Sequence, residues 1–325
     1  MHMVQGASPA QVSELLDRLP PAFYIVGAPR CGTTSLSKAL AGHPQISFSR
    51  PKETHYLIDD CPGLRTKDIQ RLYLERFHPD LVPETRAIGD GSVSYLYYPQ
   101  TIERALALDS RAKFIVSVRN PVDMLRSYHA RLLYMLDENI TDFTRAWALQ
   151  GDRHAGHHIP RRCRDAQLLQ YGEVAKLGKH VSRLFSLAGR EHCHVVVFDD
   201  FVRDPRSVYE QVLAFLGIAD DGRSKFRTKS TNAGFRSPWL QRFVMNPPAW
   251  TYPLIKFGNV KMLSHLKGLR KRIKRFNKVP EARQIFSPAL RATLCEYYSD
   301  DVKTLSGLLD RDLSHWLLDP PRGTG

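Results

Sequence analysis

The stretch from Phe23 to Leu40, FYIVGAPRCGTTSLSKAL, restricts the fold more than any other part of the chain. An apolar run of strand type stops at Gly27, and a helix-type pattern starts after Gly32. The reading is strand, phosphate loop, helix. Gly27, four residues, Gly32, then Thr33 and Thr34 reproduce the frame of a loop whose backbone N–H groups and helix N-terminus attract a phosphate. A nucleoside-triphosphate loop of this kind needs Lys straight after the second Gly to reach the β- and γ-phosphates, but Thr33 stands there and Arg30 lies inside the loop. The expected ligand is therefore an anionic nucleotide other than ATP or GTP.

The rest of the chain repeats that unit. Lys113 to Val118, KFIVSV, reads as a buried parallel strand followed at once by Arg119-Asn120-Pro121 and a helix to about Met135. His194 to Phe198 is a third strand, and Pro205 to Leu216 a helix opened by Asp204 as N-cap. Ala87 to Asp90 reads as a short strand leading into an aromatic turn. Lys67 to Phe77 and Thr101 to Leu108 read as helices, Asp165 to Leu187 as one long helical pattern, and His43 to Thr54 as a loop bounded by Pro44 and Pro51. Strands alternating with helices at this spacing predict an α/β fold, a parallel sheet with helices on both faces. Ligands of such sheets sit at the strands' carboxyl ends, so the loops after Gly27 and after Val118 are expected to converge. Residues 1–21 are read as an N-terminal arm with a short amphipathic piece, Val12 to Leu19. Residues 22–325 are read as one domain whose part from about 237 onward is basic and mainly helical.

Charge locates a second feature. Between Gly222 and Pro280 there are 15 Lys and Arg and no Asp or Glu, which leaves 32 basic against 33 acidic residues elsewhere, so this stretch carries the whole net charge of +14. It marks an anionic partner. Within it Val260, Leu263, Leu266, Leu269, Ile273 and Phe276 form the apolar stripe of a basic amphipathic helix, expected to pack on the body of the protein or to touch a membrane surface. The five cysteines, Cys31, Cys61, Cys163, Cys193 and Cys295, are odd in number and form no CxxC pair, which argues against a disulfide framework or zinc site and for a reducing compartment. No apolar run approaches the roughly 18 residues of a membrane span. A cytoplasmic protein, peripheral to a membrane at most, is the expectation.

Four patterns stand in order: GAPRCGTTSL, PKETHYL, VRNPVDMLRSYH and VVVFDDFVRDP. Together they resemble the sulfotransferases that use 3'-phosphoadenosine 5'-phosphosulfate (PAPS), most closely the carbohydrate-acting branch with the heparan sulfate enzymes and many bacterial relatives. The resemblance spans about Phe23 to Trp316. It implies that Arg30, Cys31, Gly32, Thr33, Thr34 and Ser35 hold the 5'-phosphosulfate, and that Arg119 and Ser127 bind the 3'-phosphate. It makes Glu53 the general base, with Lys52, His55 and Arg30 at the reaction centre. Arg30 replaces the usual Lys and offers a fork rather than a point charge. The later nucleotide-contacting loop is matched only by the candidates Lys229, Asn232 and Arg236.

Departures from the branch are Thr54 where Pro is frequent, and Asp90 and Val93 where Glu and Pro are common. Asp90 is read either as orienting the acceptor or His55, or as simply ending a strand. His154, His157 and His158 lack metal-ligand spacing, Cys31 sits where thiol pKa values can fall, and Tyr171 is read as cleft or core. The resemblance implies PAPS as donor, 3'-phosphoadenosine 5'-phosphate (PAP) as product, a carbohydrate or glycolipid acceptor, and neither metal nor nucleic acid. The alternatives are a nucleotide or small-molecule kinase and a non-catalytic module binding anionic polymers.

Overall fold

The computed structural model describes residues 19–58, 66–226, 233–237, 239–241, 272–273, 275–280 and 285–318. The N-terminal amphipathic piece up to Arg18, Cys61, Lys229, Asn232 and most of the basic amphipathic helix lie outside these residues. The chain groups into two compact units. The first comprises residues 1–124, 176–230 and 294–325, the second residues 125–175 and 231–293.

The first unit is built on a parallel sheet of five strands. They are β1 (Ala22–Gly27), β2 (Ile46–Phe48), β3 (Ala87–Asp90), β4 (Lys113–Val118) and β5 (Cys193–Val197), in the spatial order β2-β3-β1-β4-β5. β1 pairs with β3 on one side and β4 on the other, so the two most apolar strands of the sequence sit at its centre. Successive residues of a strand face opposite ways. Phe23 and Ile25 of β1 enter a core with Ile115, Val196 and the apolar faces of α1 (Thr33–Leu40) and, after the loop from β5, of Pro205–Leu216. Tyr24 points to the other face, 5.8 Å from the Phe114 ring and 6.2 Å from Tyr95. Both faces are covered, which is why β1 and β4 read as nearly continuous apolar runs, interrupted within β4 only by the buried Ser117.

The expected helices form as α2 (Thr66–Phe77), α3 (Pro99–Leu108) and α4 (Pro121–Met135). Two expectations need correction. The loop from His43 to Thr54 contains β2, three residues paired in register with Ala87, Ile88 and Gly89. Asp165 to Leu187 is not one helix but a 3₁₀ turn (Ala166–Leu169), α7 (Tyr171–Val174) and α8 (Leu177–Ala188). The break has a cause outside the segment: Asp301 accepts hydrogen bonds from the Gly178 and Lys179 N–H groups at 2.8 Å each, capping a new helix start from a distant residue. In the second unit, α5 (Phe143–Ala148) and α6 (Gln150–His154) fill a stretch in which the sequence predicted no helix.

After β5 the chain turns directly into α9 (Phe198–Arg203) and then α10 (Pro205–Leu216), whose first turn is capped by Asp204 accepting from Ser207 N–H at 3.0 Å, as expected. A two-stranded antiparallel ladder, β6 (Ala233–Phe235) with β7 (Lys278–Pro280), belongs to the second unit. The last described elements are α11 (Pro288–Leu309) and a 3₁₀ turn (Ser314–Leu317). Cys31, Cys163, Cys193 and Cys295 are free thiols. No helix of the described residues is long and apolar enough to cross a membrane.

Candidate active site

The loop between β1 and α1 leaves its donors exposed for a ligand. Gly32 occupies the N-cap position with φ 85°, a left-handed conformation, and no side chain caps the helix. Its neighbours on the other side leave little room: a Cβ there would stand 3.0 Å from the Phe198 ring. Glycine is thus required twice, by backbone and by packing. The N–H groups of Gly32, Thr33 and Thr34 have no hydrogen-bond acceptor among the described residues. Ser35 N–H is already committed to Gly32 O at 2.9 Å. Three N–H donors without acceptors at the positive end of a helix dipole make this loop a candidate anion site.

Two arginines flank that site. Arg30 lies within the loop at φ 68°, and Arg119, directly after β4, donates from Nη1 to Arg30 O at 3.3 Å. The expected convergence of the two strand ends is therefore present. The Arg119 guanidinium also lies over the Phe198 ring, 4.4 Å from its centre, so an aromatic residue that the sequence reading left within a motif sets the arginine's height. Cys31 departs from expectation. Its thiol is buried and turned to Pro29 O at 3.6 Å, and burial pushes its pKa up to about 12 despite the nearby Arg119 and Arg30 charges. The helix N-terminus does not activate it, so its side chain offers neither a thiolate nor a donor to the loop.

The second cluster is the loop 52–55. Lys52 Nζ donates to Glu53 Oε1 at 3.1 Å, while Glu53 Oε2 stands 3.8 Å from His55 Nε2. The His55 ring is oriented by Ser94 Oγ, 2.8 Å from Nδ1, and its backbone N–H donates to Ser92 Oγ at 3.0 Å. All three side chains are partly or wholly accessible, so they can meet a substrate. The two clusters are adjacent through Gly91: a Cβ there would lie 2.8 Å from Lys52 Cε and 3.1 Å from Ser37 Oγ on α1.

Asp90 underlies this loop and decides between the two readings given above. It is 1% exposed and accepts from Ser92 N–H at 2.7 Å, Ser92 Oγ at 2.6 Å, Tyr73 OH at 2.9 Å and Thr54 Oγ1 at 2.5 Å. Burial pushes its pKa up, and the hydrogen bonds from Ser92, Thr54 and Tyr73 act in the opposite direction. A carboxylate so enclosed does not orient an acceptor. Through Thr54 and Ser92 it fixes the loop that carries Glu53 and His55. Thr54, a departure from the family pattern, supplies one of the hydroxyls that Asp90 binds.

The remaining predicted residues are distributed as follows. Ser127 is buried on the second turn of α4, in the second unit. Arg236 also belongs to that unit, where its guanidinium lies 5.2 Å from the Phe276 ring centre. Tyr171 is core rather than cleft: it is fully buried, and its hydroxyl donates to Glu138 at 2.7 Å. Burial pushes Glu138 up, but two hydrogen bonds from Arg153, at 2.7 and 2.8 Å, with those from Ile140, Tyr171 and Asn139, hold it below the usual carboxylate range. His158 lies 4.0 Å from Asp152, and the described residues contain no group of three or more metal-ligating side chains. A cavity of about 460 Å³ beside Tyr24, Leu57, Tyr73 and Leu108 includes none of the predicted site residues.

The sulfotransferase domain family matches residues 20–243. Human carbohydrate sulfotransferase 15 is 51% identical over 67 residues, 18% of this chain and 12% of that protein. The mouse bifunctional heparan sulfate N-deacetylase/N-sulfotransferase 4 is 25% identical over 311 residues, 91% of this chain but 31% of its own length. The chain thus spans an eighth to a third of these relatives. A sulfotransferase structure from Alicyclobacillus acidocaldarius superposes with a TM-score of 0.61 at 28% identity, covering 91% of this chain and 98% of the other.

Proposed function

The chain belongs to the sulfotransferase domain family, and from that membership we propose that it moves a sulfuryl group from PAPS to a hydroxyl, or an amine, of a carbohydrate acceptor. The kinase alternative gives way to the family. The observation that carries the proposal is the uncapped start of α1, where the N–H groups of Gly32, Thr33 and Thr34 have no acceptor among the described residues, in the loop that holds Arg30 and contacts Arg119. The first three donors and Arg30 suit a 5'-phosphosulfate, and Arg119 suits a 3'-phosphate by charge-assisted hydrogen bonding. The carbohydrate acceptor is supported by the relatives, whose names describe carbohydrate and heparan sulfate sulfotransfer.

In this reading Glu53 takes the proton from the acceptor as its oxygen forms a bond to sulfur. The bond from sulfur to the bridging oxygen of the 5'-phosphate breaks, and PAP departs with the electron pair. Charge then moves from the acceptor oxygen toward the phosphate. Lys52, already bonded to Glu53, and Arg30 are the cations placed to balance it, as in phosphoryl transfer. His55, held by Ser94, lines the acceptor side.

Thermal unfolding with PAP, with ADP, and with ATP and Mg2+, each at one concentration, tests the donor. A ligand at 100 times its dissociation constant stabilises the fold by about 2.7 kcal/mol. Stabilisation selective for PAP is expected. A shift with ATP and Mg2+ alone, or with no nucleotide, overturns the reading.

A further inference from the structure

Residues 119–120 follow β4 and residues 198–199 follow β5, and one residue from the far end of the chain joins them. Arg119 stacks on Phe198. Their neighbours Asn120 and Asp199 both bind Trp316: Asn120 Nδ2 donates to Trp316 O at 2.7 Å, and Trp316 Nε1 donates to Asp199 Oδ2 at 2.7 Å. Trp316 is 2% exposed, and its indole N–H is satisfied by a charged acceptor whose own side chain reaches solvent. Asn120 is already fixed from its other end, because its Oδ1 caps α4 by accepting from Val122 N–H at 2.9 Å and Asp123 N–H at 3.3 Å. A second clasp runs parallel, from Arg311 to Asp200.

We infer that Trp316 is a positioning residue for the phosphate-binding arginine, setting the spacing between Arg119 and the Phe198 ring beneath it. The inference rests on the proposal above that Arg119 receives the 3'-phosphate. The guanidinium is a planar fork whose bidentate geometry is lost by small rotations. Its orientation comes from the Phe198 face and from Arg30 O. Phe198 opens α9, and Asp199 is the residue through which α9 is tied down to Trp316. Without the indole N–H, the first turn of α9 is held to the C-terminal segment by the Arg311–Asp200 clasp alone, one residue further from Phe198, and the ring under Arg119 loses its nearest tether.

The test is the ratio of dissociation constants for ADP and PAP, by calorimetry, in the full chain. Wild type is expected to prefer PAP. Trp316→Phe, which removes the N–H donor, is expected to reduce the ratio by about tenfold, the scale of one hydrogen bond to a charged group. Asp199→Ala, at a side chain about half exposed, should give the same loss without touching the buried ring. Asp199→Asn keeps an acceptor for the indole while removing the charge, and should lose clearly less of the ratio than Asp199→Ala. A merely structural role would weaken PAP and ADP equally; equal losses, or an unchanged ratio in both Trp316→Phe and Asp199→Ala, overturn the inference. A wild type that binds both nucleotides equally instead removes the 3'-phosphate reading itself.

Discussion

The two loops of the candidate active site are built on opposite plans. The loop before α1 keeps its donors unspent: Gly32, Thr33 and Thr34 N–H bind nothing among the described residues. The loop 52–55 is tied inward at nearly every position, with Thr54 on Asp90, His55 on Ser92 and Ser94, and Lys52 on Glu53. The first plan suits a binding site, where the backbone is complementary to an anion and the ligand supplies the missing acceptor. The second suits a reaction centre, where side chains must already be oriented before an acceptor arrives. Changes in the first loop should therefore appear as lost affinity, and changes around the second as lost turnover.

The sharpest break in that contrast is Glu53→Gln. Removing a positioned base lowers turnover by roughly 10^2 to 10^4, and PAP-induced stabilisation should be intact. Wild-type-like turnover takes Glu53 out of the role. Next in size, Arg119→Ala should weaken PAP by about 10- to 100-fold, the scale of a charge-assisted contact to phosphate, and ADP far less. Equal losses for the two nucleotides would contradict the assignment of the first loop's partner.

Asp90→Asn probes the second plan without touching a reacting group. The amide cannot accept from all four donors now aimed at the carboxylate, so about a tenfold fall in kcat is expected with nucleotide affinity unchanged. A fall in affinity instead would mean that the two loops are not independent.

The smallest effect lies under β2, which leads into the second loop. His78 is buried with Nδ1 3.1 Å from Ser47 Oγ and with Nε2 unpartnered among the described residues. Burial lowers its pKa from 6.5 to about 3, so the folded protein keeps it neutral while the unfolded chain takes up a proton below pH 6.5. The stability it contributes is complete above pH 6.5 and falls by about 1.4 kcal/mol per pH unit as acid is added toward pH 3. Urea melts of the wild type and His78→Asn should differ in slope across pH 6.5 to 4. Parallel curves would assign the acid sensitivity elsewhere.

What was legible in the sequence follows the same division. β4 was legible because a parallel strand buried on both faces reads as a nearly continuous apolar run, Phe114 to Val118, which Ser117 alone interrupts. The α1 loop was legible because backbone requirements select glycine, and glycine is visible. β2 was not: three residues between two prolines carry no periodicity, and their pairing to β3 is a tertiary fact. The break before α8 is written at Asp301, 123 positions from Gly178. Asp90 was left between two roles, orienting the acceptor or His55 and simply ending a strand; it ends β3 and also fixes the loop of His55, but its four donors, spread over residues 54, 73 and 92, leave no local signature. Phe198 and Trp316 stood inside the family resemblance, but their relation to Arg119 and Asn120 exists only after the sheet has brought β4 and β5 together.

The bond from Asn120 to Trp316 spans 196 positions of sequence. During synthesis the loop before α1 and the residues after β4 emerge long before the partner that joins Asn120 to Asp199. Loop-closure entropy must be overcome before such remote contacts reward it, and topologies dominated by them fold slowly. The candidate site is thus among the last parts of the molecule to mature, and a chain cut short before residue 316 would carry the α1 loop and Arg119 without the bonds that join Asn120 to Asp199.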